Sequence, residues 1–324
     1  MNDDATQMRP AHRPEQRRNI RKGWQDRATA AQIGRTKPHA RNAMDSGLSA
    51  AVQADEPVLH LRRAGGGRHS CLMIHGFGEG GYVWDRVLPA IASRYDAIAP
   101  DLRGHGDSAW DAEARYDVQA HIEDVVHVIR ALDLRRLVLV GHSMGGEIAV
   151  HVAAQCADRV AGLVIVDFGP CLNPEGIAMV RAEIEAANRV YSSVEEYASW
   201  LSKRRPLIAK DVLLSLAQCA LRAHPGEGFR LKVDPAITRS QCRQSNAASD
   251  AGLWSLLSRM EWPVLVVRGA GSAVLSRNVA ERMIEIMPYA RLETVPAAGH
   301  GVILDNPKGF EAAIRPFLMP DGCL

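Results

Sequence analysis

A serine lies at the centre of the pentapeptide Gly-His-Ser-Met-Gly, which occupies residues 141–145. A serine hydroxyl is an effective nucleophile only when a base takes its proton and the chain presents its oxygen without obstruction. The apolar run over 137–141 predicts a strand before the motif, and the pattern over 145–157 predicts a helix after it. A sharp turn between them would present Ser143 and aim the N–H of Met144 at a developing oxyanion. We therefore predict that Ser143 is the nucleophile of a hydrolytic site.

The elements that must position this serine alternate between strand-like and helix-like segments from residue 57 onward. This alternation is typical of a mostly parallel sheet wrapped by helices, and short apolar runs fit strands that are covered on both faces. The predicted fold class is therefore α/β, with a mostly parallel sheet of the eight-stranded type flanked by helices. The predicted strands lie near residues 58–62, 70–75, 95–100, 137–141, 162–167, 264–269 and 291–295.

The alternation stops between residues 168 and 258, where only helical patterns occur. This interruption of the sheet predicts a helical cap inserted into the α/β core. The helical patterns lie at 174–189, 193–205 and 209–223. We thus expect a first part of the core over 55–167, a cap over 168–258 and a second part of the core over 259–324.

Residues 1–54 precede the first predicted strand and have no sustained apolar period. The first 50 residues hold ten Lys or Arg against five Asp or Glu, which makes this segment basic. Such a composition does not bury enough surface to offset ordering entropy, so a disordered extension is expected. An alternative is that the working chain starts at Met44, which leads directly into the first strand.

The composition of the chain favours a globular protein, because 47% of its 324 residues are hydrophobic. No run approaches the roughly 20 apolar residues of a membrane span, and the N-terminus lacks the apolar core of a secretory signal. We expect a cytoplasmic monomer or homodimer without membrane or nucleic-acid partners. Its six cysteines are scattered, which predicts free thiols and no metal site. The predicted chemistry implies no cofactor.

Two further motifs complete a resemblance to a known family. The tetrapeptide His-Gly-Phe-Gly at 75–78 follows an early strand, and residues 101–108 read Asp-Leu-Arg-Gly-His-Gly-Asp-Ser. Together with the serine motif, they resemble the α/β-hydrolase family over about residues 57–318. The resemblance implies that the N–H of Phe77 is the second oxyanion donor, while the 101–108 turn is structural. Trp84 either lines the substrate site or packs under the cap.

The same resemblance implies a base and an acid for the serine. The family places its catalytic histidine on the loop after the last strand, where this chain has His300. The acid most often follows the seventh strand, but the loop at 269–276 contains no carboxylate. The other family position is the end of the sixth strand, which holds Asp167, and we predict that Asp167 orients His300. Alternatively, Asp167 only caps the turn that leads into the inserted helical segment. Asp305 is expected to belong to a following helix.

The cap would select the substrate, since it roofs the site in this architecture. It contains basic residues that include Arg204 and Arg205, which could clamp a substrate carboxylate or belong to a solvated surface. Hydrolases of acylated or dicarboxylate amides in vitamin B6 breakdown resemble this chain in placing the acid after the sixth strand.

The sequence therefore predicts a serine hydrolase that cleaves a small carboxylic ester or lactone through an acyl-enzyme. One alternative is amide or carbon–carbon bond hydrolysis on the same scaffold. The other is a ligand-binding receptor with the same fold and little turnover.

Overall fold

The computed structural model describes residues 49–52, 58–239 and 247–320. Most of the expected disordered extension over 1–54 therefore lies outside the described residues, as does the alternative start at Met44. Residues 49–52 are an exception, because they form a strand that pairs with the next one. The extension predicted to run to residue 54 is thus too long by at least these strand residues.

An eight-stranded sheet forms the centre of the fold, which confirms the predicted α/β class. The first two strands run antiparallel to their neighbours, and the other six are parallel. The strands are β1 (Ser49–Val52), β2 (Leu59–Ala64), β3 (His69–Ile74), β4 (Tyr95–Pro100), β5 (Leu137–His142), β6 (Val160–Val166), β9 (Val264–Gly269) and β10 (Ala290–Val295). Their spatial order is β1-β2-β4-β3-β5-β6-β9-β10.

Helices cover both faces of this sheet because successive residues of the inner strands point to opposite sides. In β5, Val138 and Val140 belong to one apolar core and Leu137 and Leu139 to the other. The helices of the first and second parts of the core are α1 (Val87–Ile91), α2 (Val118–Ala131), α3 (Met144–Gln155), α8 (Arg277–Ile286), α9 (Val302–Asp305) and α10 (Pro307–Leu318). No helix within the described ranges is both long and apolar enough to span a membrane.

The segment between β6 and β9 contains most of the helices that were predicted for a cap, and also a two-stranded hairpin. The prediction of helices alone is wrong at this hairpin, since the expected helix over 209–223 ends at Ala220 and the chain continues as a strand. The elements here are α4 (Pro174–Ala187), α5 (Val194–Arg204), α6 (Lys210–Ala220), β7 (Leu221–His224), β8 (Gly228–Leu231) and α7 (Ala247–Ser258).

One helix of this segment packs with the core. Leu253 and Leu257 of α7 are buried in the same apolar cluster as Ile148 of α3 and Met283 of α8. The chain therefore returns to the sheet before residue 258, which was the expected end of the cap.

The turn at 101–108 is held by buried hydrogen bonds, as expected for a structural element. The Asp101 carboxylate accepts the N–H groups of Gly81 and Asp107. The Arg103 guanidinium donates to both carboxylate oxygens of Asp124 at 2.6 Å and to Asp111 at 3.1 Å. Because all three side chains are almost fully buried, this ion-pair group links the turn to helix α2 by direct contacts that are shielded from solvent.

Arg103→Met should lower the free energy of unfolding by about 3 to 5 kcal/mol, because it leaves the buried Asp124 without its counter-ion. Urea denaturation measures the change. The matched control is Arg135→Met, which breaks an ion pair with Asp133 whose two side chains are about two-thirds exposed. That change should cost less than about 1 kcal/mol. Equal losses in the two variants would contradict the assigned role of Arg103.

Candidate active site

Ser143 occupies the sharp turn between β5 and α3. Its backbone has φ 52° and ψ −121°, a region that residues with a side chain seldom adopt. The strain is offset by two hydrogen bonds, from Ser143 N to Val166 O at 2.9 Å and from Gly146 N to Ser143 O at 2.8 Å. The turn therefore places the Ser143 hydroxyl between the end of β5 and the start of α3, where it contacts His300.

Glycine is required on the helical side of this turn. A Cβ atom at Gly145 would overlap the carbonyl oxygens of Ile74, which ends the neighbouring strand β3, and of His75, which follows it. The absent side chain lets α3 begin directly against the loop that follows β3. This close approach brings the Ser143 turn and the 75–78 loop together.

His300 faces Ser143 from the loop after β10. Its Nε2 lies 2.9 Å from the Ser143 Oγ, and its side chain remains 17% exposed. The loop is fastened from behind, since Gly299 N donates to the Asp305 carboxylate at 2.8 Å. Asp305 belongs to the short helix α9, as expected, and supports the histidine loop rather than the ring.

Asp167 completes this chain of contacts from the end of β6. Its Oδ2 lies 2.8 Å from His300 Nδ1, and the residue is fully buried. The same carboxylate accepts the N–H of Gly269 at 3.1 Å and the Ser272 hydroxyl at 2.5 Å. Gly269 is the last residue of β9 and Ser272 lies in the loop that follows it, where the carboxylate itself is missing. The loop therefore holds the acid instead of supplying it.

Sequence reasoning did not identify Ser272. A carboxylate at the end of β6 needs hydrogen-bond donors from the end of the adjacent strand. The sequence signal for Ser272 was therefore a hydroxyl residue in the loop where the family usually has its acid. In the structure, Ser272 also accepts the N–H groups of Val274 and Leu275 at 3.1 Å, so its hydroxyl proton is directed to Asp167.

The proton positions follow from these partners. The ionised form of Asp167 accepts from His300 Nδ1–H, which leaves the Nε2 lone pair free to accept the Ser143 hydroxyl proton. This arrangement can transfer a proton from the serine when its oxygen attacks a carbonyl carbon.

The 75–78 loop lies beside Ser143 and is held by two histidine rings. His75 Nε2 accepts the N–H of Leu102 at 2.9 Å, and His105 Nε2 accepts the N–H of Gly78 at 3.2 Å. In both rings Nδ1 faces a carbonyl oxygen, so each ring is neutral with its proton on Nδ1. Burial lowers the pKa of both rings, that of His105 to about 3.

The two predicted oxyanion donors, the N–H groups of Phe77 and Met144, belong to the 75–78 loop and to the start of α3. Met144 is the first residue of α3, where backbone N–H groups have no partner within the helix. Within the described residues, neither the N–H of Phe77 nor that of Met144 donates to a backbone carbonyl outside regular helices and strands. Both groups are thus available to a negative oxygen, and the helix dipole favours the charge at Met144.

Comparison with known proteins agrees with this geometry. A family model for the alpha/beta hydrolase fold matches residues 72–307. The chain belongs to the α/β-hydrolase fold family. It is 27% identical over 276 residues to 2-(acetamidomethylene)succinate hydrolase of Mesorhizobium japonicum, covering 85% of this chain and 97% of that one. It is also 27% identical over 285 residues to an esterase of Mycobacterium tuberculosis, covering 85% of this chain and 93% of the other.

The three-dimensional comparison leads to the same family. A solved structure of E-2-(acetamidomethylene)succinate hydrolase matches with a TM-score of 0.73 and 27% identity, over 83% of this chain and 98% of the other. An α/β hydrolase from Novosphingobium aromaticivorans has a TM-score of 0.75 at 23% identity, over 85% of this chain and 99% of the other, which supports the fold alone.

The three residues predicted to contact a substrate in this α/β hydrolase all lie against other side chains of the chain. Trp84 is completely buried and packs against Phe310, with ring centroids 6.1 Å apart. This packing is the alternative that the sequence left open for Trp84, and substrate contact at this residue stays a prediction.

Arg204 and Arg205 already have other partners. Arg204 is exposed and lies over the Trp200 ring at 4.0 Å. Arg205 donates to Glu183 at 2.7 Å and lies 3.8 Å from Glu79. Burial alone would lower the pKa of Arg205, but the charges of Glu183 and Glu79 raise it above its usual value. The charge of Arg205 is thus balanced by two carboxylates, whereas Arg204 lies on the exposed surface, which is the alternative that the sequence left open for it. A carboxylate clamp at these residues stays a prediction.

A cavity of about 200 Å³ opens between α6, α10 and the 3₁₀ turn at Gly81–Trp84. Its lining includes Tyr82, Leu216 and Phe310, and none of the Ser143, His300 and Asp167 side chains. This cavity is therefore separate from the nucleophile.

The free energy of unfolding should fall as the pH drops below about 6.5. The buried rings of His75 and His105 stay neutral in the folded state, whereas the unfolded chain takes up protons near the ordinary histidine pKa. Stability is therefore present above pH 6.5 and is lost toward acid, by about 1.4 kcal/mol per pH unit for His105. Urea titrations at pH 7.5, 6.5 and 5.5 measure this slope.

His105→Gln tests the contribution of one ring, since glutamine does not titrate. The loss of unfolding free energy between pH 6.5 and 5.5 should be smaller in this variant by about 1 kcal/mol. An unchanged slope would mean that His105 is not the titrating group.

Proposed function

We propose that this α/β hydrolase cleaves a small carboxylic ester or lactone through an acyl-enzyme formed on Ser143. The observation that carries the proposal is the continuous chain from Ser143 Oγ through His300 to Asp167, with separations of 2.9 and 2.8 Å. Each atom in this chain has the partner that its role needs. Ser143 can lose a proton to His300, and the buried carboxylate stabilises the imidazolium that results.

The reaction begins when the Ser143 oxygen attacks the carbonyl carbon and His300 Nε2 takes the hydroxyl proton. The N–H groups of Phe77 and Met144 hold the negative oxygen of the tetrahedral intermediate. His300 then gives its proton to the leaving alkoxide, and the acyl group remains on Ser143. Water attacks this ester with His300 again as the base, and the carboxylic acid leaves with Ser143 restored.

The relatives favour hydrolysis over binding without turnover. One is named an esterase, and another, 28% identical over 75% of this chain and 85% of its own length, is named the 3-hydroxybutyrate-oligomer hydrolase of Cupriavidus necator. The bonds in a hydroxybutyrate oligomer are esters. This supports an ester as the substrate class for the present chain.

Amide hydrolysis is the second candidate. It is favoured by the likeness to 2-(acetamidomethylene)succinate hydrolase, which extends over 97% of that enzyme and also appears in its fold at a TM-score of 0.73. An amide uses the same three residues, and only the leaving group differs. A panel that contains matched ester and acetamide substrates separates the two by their kcat/KM values.

A p-nitrophenyl acetate assay should show a rapid burst of p-nitrophenolate that approaches one equivalent per Ser143. The burst reports the acyl-enzyme, because acylation of the serine is faster than its hydrolysis for such activated esters. Ser143→Ala should lose the burst and at least about 10⁴-fold of the turnover rate, with an unchanged circular dichroism spectrum. A wild-type protein that binds the ester without any burst would instead support the receptor alternative.

Asp167→Asn should reduce kcat by about 10³-fold or more, since an amide does not stabilise the imidazolium and can impose the wrong ring tautomer. The matched variant is Ser272→Ala, which removes one donor to the carboxylate but keeps its charge. That variant should lose only about 10-fold. A loss below about tenfold for Asp167→Asn would assign the acid to another residue.

A further inference from the structure

A second histidine lies beside the nucleophile and takes no part in the proton transfer described above. His142 precedes Ser143 and is only 3% exposed. Its Nδ1 lies 3.2 Å from Glu79 Oε2, and its Nε2 lies 2.9 Å from the main-chain oxygen of His300. The two rings are near one another, with centroids 5.0 Å apart. His142 therefore joins Glu79, which directly follows the 75–78 loop, to the loop that carries His300.

Both partners of His142 are hydrogen-bond acceptors, and this fixes its protonation. A neutral imidazole has one N–H and one lone pair, so it could satisfy only one of the two oxygens. An imidazolium has two N–H groups and satisfies both. His75 and His105 differ, because each of those rings faces one donor and one acceptor.

Glu79 is arranged to keep the charge on the His142 ring. Its Oε2 accepts the N–H of Gly76 at 3.1 Å and its Oε1 faces Arg205 at 3.8 Å, both of which favour a carboxylate. Burial would raise the pKa of Glu79, but the charge and hydrogen bond of His142 lower it below its usual range. Conversely, burial would lower the pKa of His142, and the Glu79 carboxylate raises it.

The charges in this small region balance when His142 is protonated. Glu79 and Glu183 each carry one negative charge, and Arg205 and His142 each carry one positive charge. A neutral His142 would leave one buried carboxylate in excess. Since burying an uncompensated charge costs several kcal/mol, the balanced state is preferred.

We propose that Glu79 and the imidazolium of His142 form a positioning pair, which holds the His300 main chain so that its ring stays in contact with Ser143. The pair rests on the function proposed above, because its effect is exerted through His300. His142 is a positioning residue and does not touch the reacting atoms.

The proposal has a defined pH dependence. His142 is faced by Glu79, by His75 and His300, by the carboxylates of Asp167 and Asp305 and, through Glu79, by Arg205. The ring is positively charged below its raised pKa and loses one N–H as the pH rises through it. The Nε2 lone pair would then oppose the His300 carbonyl oxygen, so kcat falls on the alkaline side.

The charge on His142 is measurable without turnover. Ser143→Ala protein labelled with ¹⁵N-histidine should show His142 as an imidazolium at pH 7, with both ring nitrogens carrying protons, and His105 as a neutral ring. The His142 signal is assigned by its loss in Ser143→Ala/His142→Asn. A neutral His142 at pH 7 would overturn the inference, whatever the fate of the proposed hydrolysis.

Two variants test the link to the rate in opposite directions. Glu79→Gln removes the counter-charge, so the alkaline fall in kcat should move to lower pH by about one unit or more, with KM little changed. Arg205→Gln leaves Glu79 less neutralised, so the same fall should move to higher pH. The matched control is Arg204→Gln, which changes the neighbouring, exposed arginine. This variant should leave the pH profile of kcat unchanged.

A merely structural role would give a different result. Glu79→Gln would then reduce kcat by one constant factor at every pH, and the alkaline limb would not move in either variant, which would overturn the inference. If turnover instead persisted in Ser143→Ala, the proposed function would fail, while the ¹⁵N measurement would still report on His142. The two failures are therefore distinguishable.

Discussion

The site depends on one crossing of the chain over the carboxyl edge of the sheet. His300 follows β10, the last strand of the sheet, whereas Ser143 follows β5, which lies three strands away in the order β5-β6-β9-β10. The histidine loop must therefore pass over the end of β9. It does so at Gly269, where a Cβ would overlap the main-chain oxygens of Ala298 and Gly299. The N–H of Gly269 also donates to the Asp167 carboxylate. Gly269 therefore leaves room for the loop that carries His300 and also holds Asp167.

The sequence was sufficient for features that local rules determine. The nucleophile turn is specified by an apolar strand, two glycines and a helix in succession, and the parallel order brings the strand ends together. Asp167 could be named because the usual loop has no carboxylate. By contrast, Ser272 and Glu79 have roles set by contacts with residues 105 and 63 positions away in the chain, and no local pattern encodes such pairings. The burial of Trp84 and the ion pairs of Arg205 likewise arise only from packing, so the sequence left the roles of both residues open.

The hydrogen-bond partners of each histidine near Ser143 determine whether its ring is neutral or charged. His75 and His105, which hold the 75–78 loop, each face one backbone N–H donor and one carbonyl oxygen. Both rings stay neutral because they are buried. His142 meets two acceptors and a carboxylate. Identical side chains thus carry different charges within a few ångströms. This matters for the chemistry, because a low-dielectric site amplifies every misplaced charge near a developing oxyanion.

The segment between β6 and β9 also contacts residues in and next to the 75–78 loop. Ile184 of α4 packs on Gly78, and Arg205 lies against Glu79. Asp234 accepts the Tyr116 hydroxyl at 2.5 Å and donates its N–H to Gly104 O, which ties the segment to the 101–108 turn. That turn in turn holds the 75–78 loop through His75 and His105. The segment between β6 and β9 therefore contacts both the 75–78 loop and the 101–108 turn, and through them it helps to hold Phe77, the proposed oxyanion donor, in place.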